Sequence, residues 1–438
     1  MFPSAKRIFS NPDIIKKIAY TLLVFFVFKL GTYVPIPLVS TKAVQSVVAN
    51  NDFLSVLNAF SGGGLSKFSI LALGITPYIT ASIIVQMFQM IVPRFHEWST
   101  EGDNGKQKLN RITRYVTIGL AFIQALGLLY GLASGGRSEN LFIPEILEYR
   151  NFYWFFMIFM ALIMTAGSSF TMWLADLITR HGIGNGSSMI ISAGIITTIP
   201  AMIGTLGTKY LGDAVSAVHI TQYVIIILLY VLMILGVVYF ESALRHVRVQ
   251  YANRQANSNS DIPIKLNSGS VMPVIFASTI MSIPLTIIGT MGISTSGSGS
   301  GFWVNQIFST SEPIGIAVYV LFIFFFSFFY SFIVVDPEKI ADNLQKQNSF
   351  IPGYQPGEET KNQLSKLLFR ITLIGSLYLI ILALVPIVVS MAFGFTSSEA
   401  SVIRIGGTSL IIIVGVAIET FRQIETDVES NEYKGFLD

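Results

Sequence analysis

Residues 60–86 read FSGGGLSKFSILALGITPYITASIIVQ, with three consecutive glycines and a Ser–Lys pair placed directly before a long apolar stretch. A glycine inside a helix costs about 1 kcal/mol relative to alanine, so Gly62, Gly63 and Gly64 end any helix that precedes them. Upstream, Phe53 to Phe60 form an amphipathic stretch. Downstream, ALGITPYITASIIVQ is apolar enough to enter a membrane. The segment from Asn51 to Gln89 is therefore predicted to hold a short half-helix hinged on Gly62 to Gly64 and then a span. Irregular backbone survives at membrane depth only where protein or a water-filled cavity covers it. Two readings stand: a re-entrant element beside an aqueous path, or an external loop with one short surface helix.

The composition extends this membrane character to the whole chain. Of 438 residues 52% are hydrophobic and only 12% are charged, about half the charged share of an ordinary soluble domain. The 36 glycines suit helices packed closely in lipid, where small residues let backbones approach. Without a cysteine and with only four histidines, thiolate zinc sites and cysteine nucleophiles are excluded. The net charge of +3 does not suggest nucleic-acid binding.

Read against the roughly 20 apolar residues that a membrane helix needs, the chain offers ten candidate spans. They start near Ile18, Phe68, Ile112, Phe152, Gly186, His219, Val271, Ile314, Phe369 and Ile403. Both termini then share a side, and that side carries 21 of the 28 Lys and Arg against 6 on the other, with Lys29 inside the first span. The positive-inside rule puts both ends in the cytoplasm. The basic amino end followed by an apolar run is read as a retained helix, because the run is long enough to span and no small-residue cleavage site follows it. Two cytoplasmic loops, about Glu241 to Ser270 and about Asp336 to Lys366, are long, polar and basic, which suits contact surfaces or disordered spacers. Five spans plus five also suit two inverted halves, 1–205 and 206–438.

Two further features bear on mechanism. In RHGIGNGSSMIISAGI three glycines lie within five residues and Asn185 and Ser187 are cap candidates, which sets a capped helix start at the membrane face. Such an end also binds anions, and His181 with Ser187 would make a Ser–His dyad without an orienting acid. The spans otherwise hold almost no ionisable side chains. Lys29 is the exception, and at mid-membrane cost it is expected to snorkel or to face the protein interior. That scarcity argues against a proton- or sodium-coupled transporter, whereas a passive pore needs no such groups.

FKLGTYVPIP in the first span, the quoted stretch in the second, GIGNGSSMIISAGI in the fifth, VMPVIFAST in the seventh, ADNLQKQNSFIPGYQPGEET after the eighth and GGTSLIII in the tenth resemble the SecY family, the channel subunits of bacterial protein translocase. The likeness runs from about Asn11 to Asp438. It implies an all-α polytopic membrane protein of ten transmembrane helices in two inverted five-helix halves. It further implies an hourglass pore narrowed by an apolar ring, here Ile75, Ile79, Ser187, Ile191, Ile275 and Ile412. Taken alone, Ile75 and Ile79 read as an i, i+4 packing face. Ser187 stands where the family usually has an apolar residue, which puts the dryness of the ring in doubt.

The resemblance also implies a plug over about residues 53–67, formed by Phe53, Leu54, Leu57, Phe60 and the three glycines. It places a lateral gate between the second and third spans and the seventh and eighth, with Thr80 and Gln124 facing Ser278, Thr279 and Ser282. Docking of a SecA-type ATPase motor or the ribosome falls to Arg245, Arg248, Arg254, Lys346 and Gln355. Gln355 stands where the family ordinarily has an arginine, and ESALRH is thin in basic residues, so a general channel and an accessory paralogue with a restricted substrate set both stay open.

Implied partners are a SecE-like subunit, a SecG-like subunit, the signal sequences of preproteins and the lipid bilayer of the bacterial cytoplasmic membrane, with no direct nucleic-acid contact. No catalytic residue, metal or cofactor is expected. The chain has no Gly-x-x-x-x-Gly-Lys loop, so the energy for transport must come from a partner. The rival expectations are a secondary transporter of a small solute, which calls for midplane coupling residues, and a membrane-embedded hydrolase.

Overall fold

The computed structural model describes residues 12–434 except 38, 40, 42–43, 46–47, 49–51, 135–152, 198, 212–216, 252–259, 291–298, 311 and 394–396. In chain order the elements are α1 (Pro12–Gly31), α2 (Asp52–Phe60), α3 (Thr76–Ile91), α4 (Pro93–Thr100), α5 (Asp103–Ser134), α6 (Tyr153–His181), α7 (Gly186–Ile196), α8 (Ile199–Leu211) and α9 (Ala217–Ser242). Then come β1 (Leu244–Tyr251), β2 (Ser260–Lys265), α10 (Met272–Thr290), α11 (Ser300–Phe308), α12 (Pro313–Val334), α13 (Pro337–Lys346), β3 (Ser349–Phe350), α14 (Glu358–Ala392) and α15 (Ser397–Lys434). The ten expected spans fall on α1, α3, α5, α6, α7 with α8, α9, α10, α12, α14 and α15. Among the described residues five helices are, by length and composition, able to cross a membrane alone, and α3 with α4 forms a sixth candidate bent by 103°. Pro93 opens α4 and supplies the break, since proline is tolerated in a first turn but not inside a helix.

Several boundaries differ from the sequence reading. Residues 68–75 are turns, and the second span begins as a helix only at Thr76, with Ile75 at its N-cap and proline in its first turn. Gly74 at φ 56° and Phe68 at φ 46° hold left-handed backbone that no α-helix contains. The third and ninth spans start at Asp103 and Glu358, well before Ile112 and Phe369, because polar helical turns lead into their apolar stretches. α8 runs across the division expected between residues 205 and 206.

The described parts of the two long loops pair with each other in one small sheet. β1 pairs antiparallel with β2, Arg245 opposite Ile264 and Arg248 opposite Asp261, and with β3 through Gln250 and Phe350, in the strand order β2-β1-β3. Pro263 sits on β2, an edge strand where a missing N–H is tolerated. Val249 and Ile264 from the hairpin close a small core with Leu344, Ile351, Leu364 and Ile371. α13 joins that core through the buried stripe Pro337, Ala341 and Leu344, and Asp336 caps it by accepting from the N–H groups of Glu338 and Lys339.

The main core gathers residues from α1, α3, α6, α7, α9, α10, α12, α14 and α15, and a second lies between α2, α5 and α6. α10 packs against both α3 and α5, and α2 packs against α7, α10 and α15. Many large apolar side chains face outward, Leu228, Leu232 and Leu235 of α9 among them. In water such a surface marks an interaction site, and on a multi-pass bundle it is what lipid covers.

Candidate functional site: a stoppered apolar constriction

The backbone at the end of α2 is irregular yet fully engaged. Ser61 Oγ donates to the Asn58 carbonyl and accepts from Leu65 N, while Asn58 Oδ1 accepts from Ser66 N at 2.8 Å. Ile36 N donates to the Phe68 carbonyl and Ile70 N to the Val34 carbonyl, so the chain after α1 pairs with the turn segment. These bonds replace the helix ladder that Gly62, at φ 68°, interrupts. Gly62 and Gly194 of α7 pack backbone to backbone: a Cβ on either would stand 3.1 Å from the other residue's main chain. The sequence reading had Gly62 and missed Gly194, whose only signal was its place in SAGI.

α2 spans the boundary between the two cores. Leu54 is buried in the second core and Leu57 packs on it, while Phe60 is buried in the main core. The side chain of Phe53 lies outside the described residues. In the same main cluster stand Ile75, Ile79, Ile191, Ile275 and Ile412, none more than 6% exposed. The five isoleucines expected in one ring therefore belong to one buried apolar cluster, which also includes Phe60 of α2. A collar of branched apolar side chains of this kind excludes hydrated ions by dewetting.

Ser187 is half-buried in the first turn of α7, four residues before Ile191. Asn185 is the N-cap of α7, its Oδ1 accepting from Ser187 N and, at 2.7 Å, from Ser187 Oγ. The hydroxyl thus donates to the cap residue, one helical turn from Ile191. No Ser–His pairing forms: the His181 ring lies against Tyr20, 5.8 Å between centroids. The glycine loop itself is pinned by Thr21 Oγ1, which accepts from Ile183 N, and by Thr179 Oγ1, which accepts from Gly186 N.

On the other flank, Thr80 and Gln124 meet Ser282 around a cavity of about 20 Å³, which Leu57, Thr76 and Leu128 also line. That volume fits about one water molecule. The gate hydroxyls spend their donors inside their own helices: Thr80 on the Thr76 carbonyl, Ser278 and Thr279 on that of Ile275, and Ser282 on that of Thr279. The structure brings Thr80, Gln124 and Ser282 together around this cavity.

Arg245 and Arg248 are exposed on β1, Lys346 is exposed at the end of α13, and Gln355 is exposed in the turn before α14. Arg254 lies outside the described residues. Gln355 N donates to Glu359 and its carbonyl accepts from Thr360 Oγ1 at 2.8 Å, which fixes this turn to the first turn of α14.

A bundle of long apolar helices with a glycine-broken segment packed against its buried core suits a membrane channel. Residues 69–421 match the SecY family, and the chain is 40% identical over its full length to the full-length protein translocase subunit SecY of Bacillus subtilis. The chain belongs to the SecY family of protein translocase subunits. It is a channel subunit and not an enzyme, and the transporter and hydrolase readings are set aside.

Solved structures agree in fold. A SecY structure described for a plug domain that stabilises the closed state and maintains a membrane seal aligns with a TM-score of 0.61 and 19% identity, covering 94% of this chain and 92% of that one. Sec61 from the canine ribosome-channel complex of the endoplasmic reticulum aligns at 0.60 and 18%, with the same coverages.

Proposed function

We propose that the chain forms a plugged pore with a lateral gate, through which unfolded preproteins cross the bacterial cytoplasmic membrane and apolar segments leave sideways into lipid. The observation that carries this reading is the seating of Phe60 on the same buried cluster as Ile75, Ile79, Ile191, Ile275 and Ile412. In this reading α2 with its glycine turn is the plug, the five isoleucines are the constriction, and the contact of α10 with α3 and α5 is the gate. A signal helix of about 20 apolar residues opens that contact because its own transfer to lipid is favourable. The gate yields easily, since polar pairs in lipid hold by only about 0.6 to 2 kcal/mol each.

The excess of Lys and Arg supports placing both termini and the three-stranded sheet in the cytoplasm. There the exposed Arg245, Arg248, Lys346 and Gln355 serve as the docking face for a SecA-type motor or a ribosome, the latter being the partner in the canine Sec61 complex. A SecE-like subunit clamps the two halves and a SecG-like subunit assists.

A photoreactive side chain at Ile79 tests the reading. With a stalled preprotein and the motor present, crosslinks are expected to a general secretory substrate and to a dedicated one alike if the channel is general, and to the dedicated one alone if it is accessory. Crosslinks to neither, with the protein correctly inserted, would remove the pore assignment. In the accessory case Gln355→Arg is expected to restore crosslinks to the general substrate, because a guanidinium presents a fork of donors that the amide lacks.

A further inference from the structure

Lys29 sits two residues before the end of α1, after the apolar run that follows Lys17, and its ammonium donates to the Gly62 carbonyl at 2.9 Å. Among the described residues it makes no ion pair with a carboxylate. It also lies near the ring of Tyr33, whose centroid is 5.4 Å from its Nζ and 3.1 Å from that of Lys67. A cation at membrane depth is retained where it meets a carbonyl or a cavity, and the acceptor here belongs to the hinge of the plug.

The Gly62 carbonyl in turn has a specific need. It lies in the broken turn, where the N–H of Gly63 bonds Asn58 and that of Gly64 bonds Ser61, so the helix ladder does not use it. A buried carbonyl left without a partner is costly, and a charged donor is the strongest partner available to it. The same residue is wedged against Gly194, so the contact fixes the plug at the point where it touches α7.

We infer that Lys29 is the closed-state latch of the channel: its ammonium holds the plug hinge down through the Gly62 carbonyl, and this bond must break each time the plug leaves. The inference rests on the plug reading given above. Lys29 is in this sense a positioning residue, acting through the hinge and not on the translocating chain.

The test uses the full chain with its partner subunits in membrane vesicles and planar bilayers. The cysteine-free sequence permits a single reporter thiol at Ala59→Cys, a buried plug position, attacked by a membrane-impermeant maleimide. Losing a charge-assisted bond is expected to raise both resting conductance per channel and thiol labelling by about tenfold in Lys29→Met. Lys29→Arg, which keeps a charged donor, is expected to stay within about twofold of the unaltered channel. Phe60→Ser perturbs the plug independently of the latch.

If Phe60→Ser leaks while Lys29→Met does not, the latch is overturned and the plug stands. If neither leaks, the plug reading fails first. Equal leak from Lys29→Arg and Lys29→Met would show that side-chain shape and not charge matters, and would also overturn the latch. Should Lys29→Met fail to accumulate, Lys29→Gln, which keeps a neutral donor, is expected to leak between the two.

Discussion

Bilayers carrying Ile412→Asn are expected to pass small ions at rest at a rate ten to a hundred times that of the unaltered channel, on the order of the 1–3 kcal/mol that an unpartnered buried amide costs. Ile412 is 2% exposed and shares its cluster with Ile75, Ile79, Ile191 and Ile275. A carboxamide there can form four hydrogen bonds, and the neighbouring isoleucine side chains accept none of them. Water is its remaining partner, and a collar that holds water conducts ions. Ile79→Ser should act in the same direction, less strongly because a hydroxyl can bond its own helix. Ile412→Val, which only trims a methyl group, should change the resting current little. Single-channel recording decides the matter, and an unaltered resting current in Ile412→Asn would remove Ile412 from the constriction.

The second large effect concerns folding. Gly167→Val is expected to lower the amount of inserted protein at least fivefold, because overpacking of 1–3 kcal/mol or more cannot be relieved by a side-chain rotation there. A Cβ on Gly167 of α6 would lie 1.9 Å from the carbonyl oxygen of Ile70. That oxygen belongs to the turn segment that Ile70 N ties to the Val34 carbonyl at 3.0 Å, so backbone must move. Gly119→Val on α5 is the matched control, since nothing lies within 4 Å of its Cβ position, and it should accumulate normally. Gel filtration after a heat step reads both, and equal behaviour of the two variants would show that α6 does not approach the turn so closely.

These effects divide along the line between what is legible in sequence and what is not. The spans were legible because long 3.6-residue apolar stretches dominate, and the start of α7 was legible because Asn185 stands before Gly186 with cap chemistry. The strands were not. Val247 with Val249 and Ile262 with Ile264 alternate for only a few residues, too short a signal between membrane helices. The first turns of α14 read as loop because EETKNQLSK is polar, yet Thr360 and Leu364 face a core that only the folded loops create.

At the constriction the residue type carries no distinguishing mark. Ile75 and Ile79 have the spacing of any packed helix face, and their place in one buried cluster with Ile412, hundreds of residues away, is set by three-dimensional packing. Family likeness supplied the assignment that periodicity could not. It also brought in Ser187, whose hydroxyl donates to Asn185 in the cap of α7.

The strand order β2-β1-β3 has a mechanical consequence. Because β1 bonds both its own hairpin partner and the short strand beyond the eighth span, the two loops bear load together, as one stiff lever instead of two slack tethers. The Gln355 turn is clamped to the head of α14, and the hairpin feeds into α10, so a tug on either loop is delivered as torque to both helices at once. A machine that grips this side with each cycle of its own stroke would thereby rock the seam and brace the bundle in a single motion, with no elastic slack to absorb the stroke.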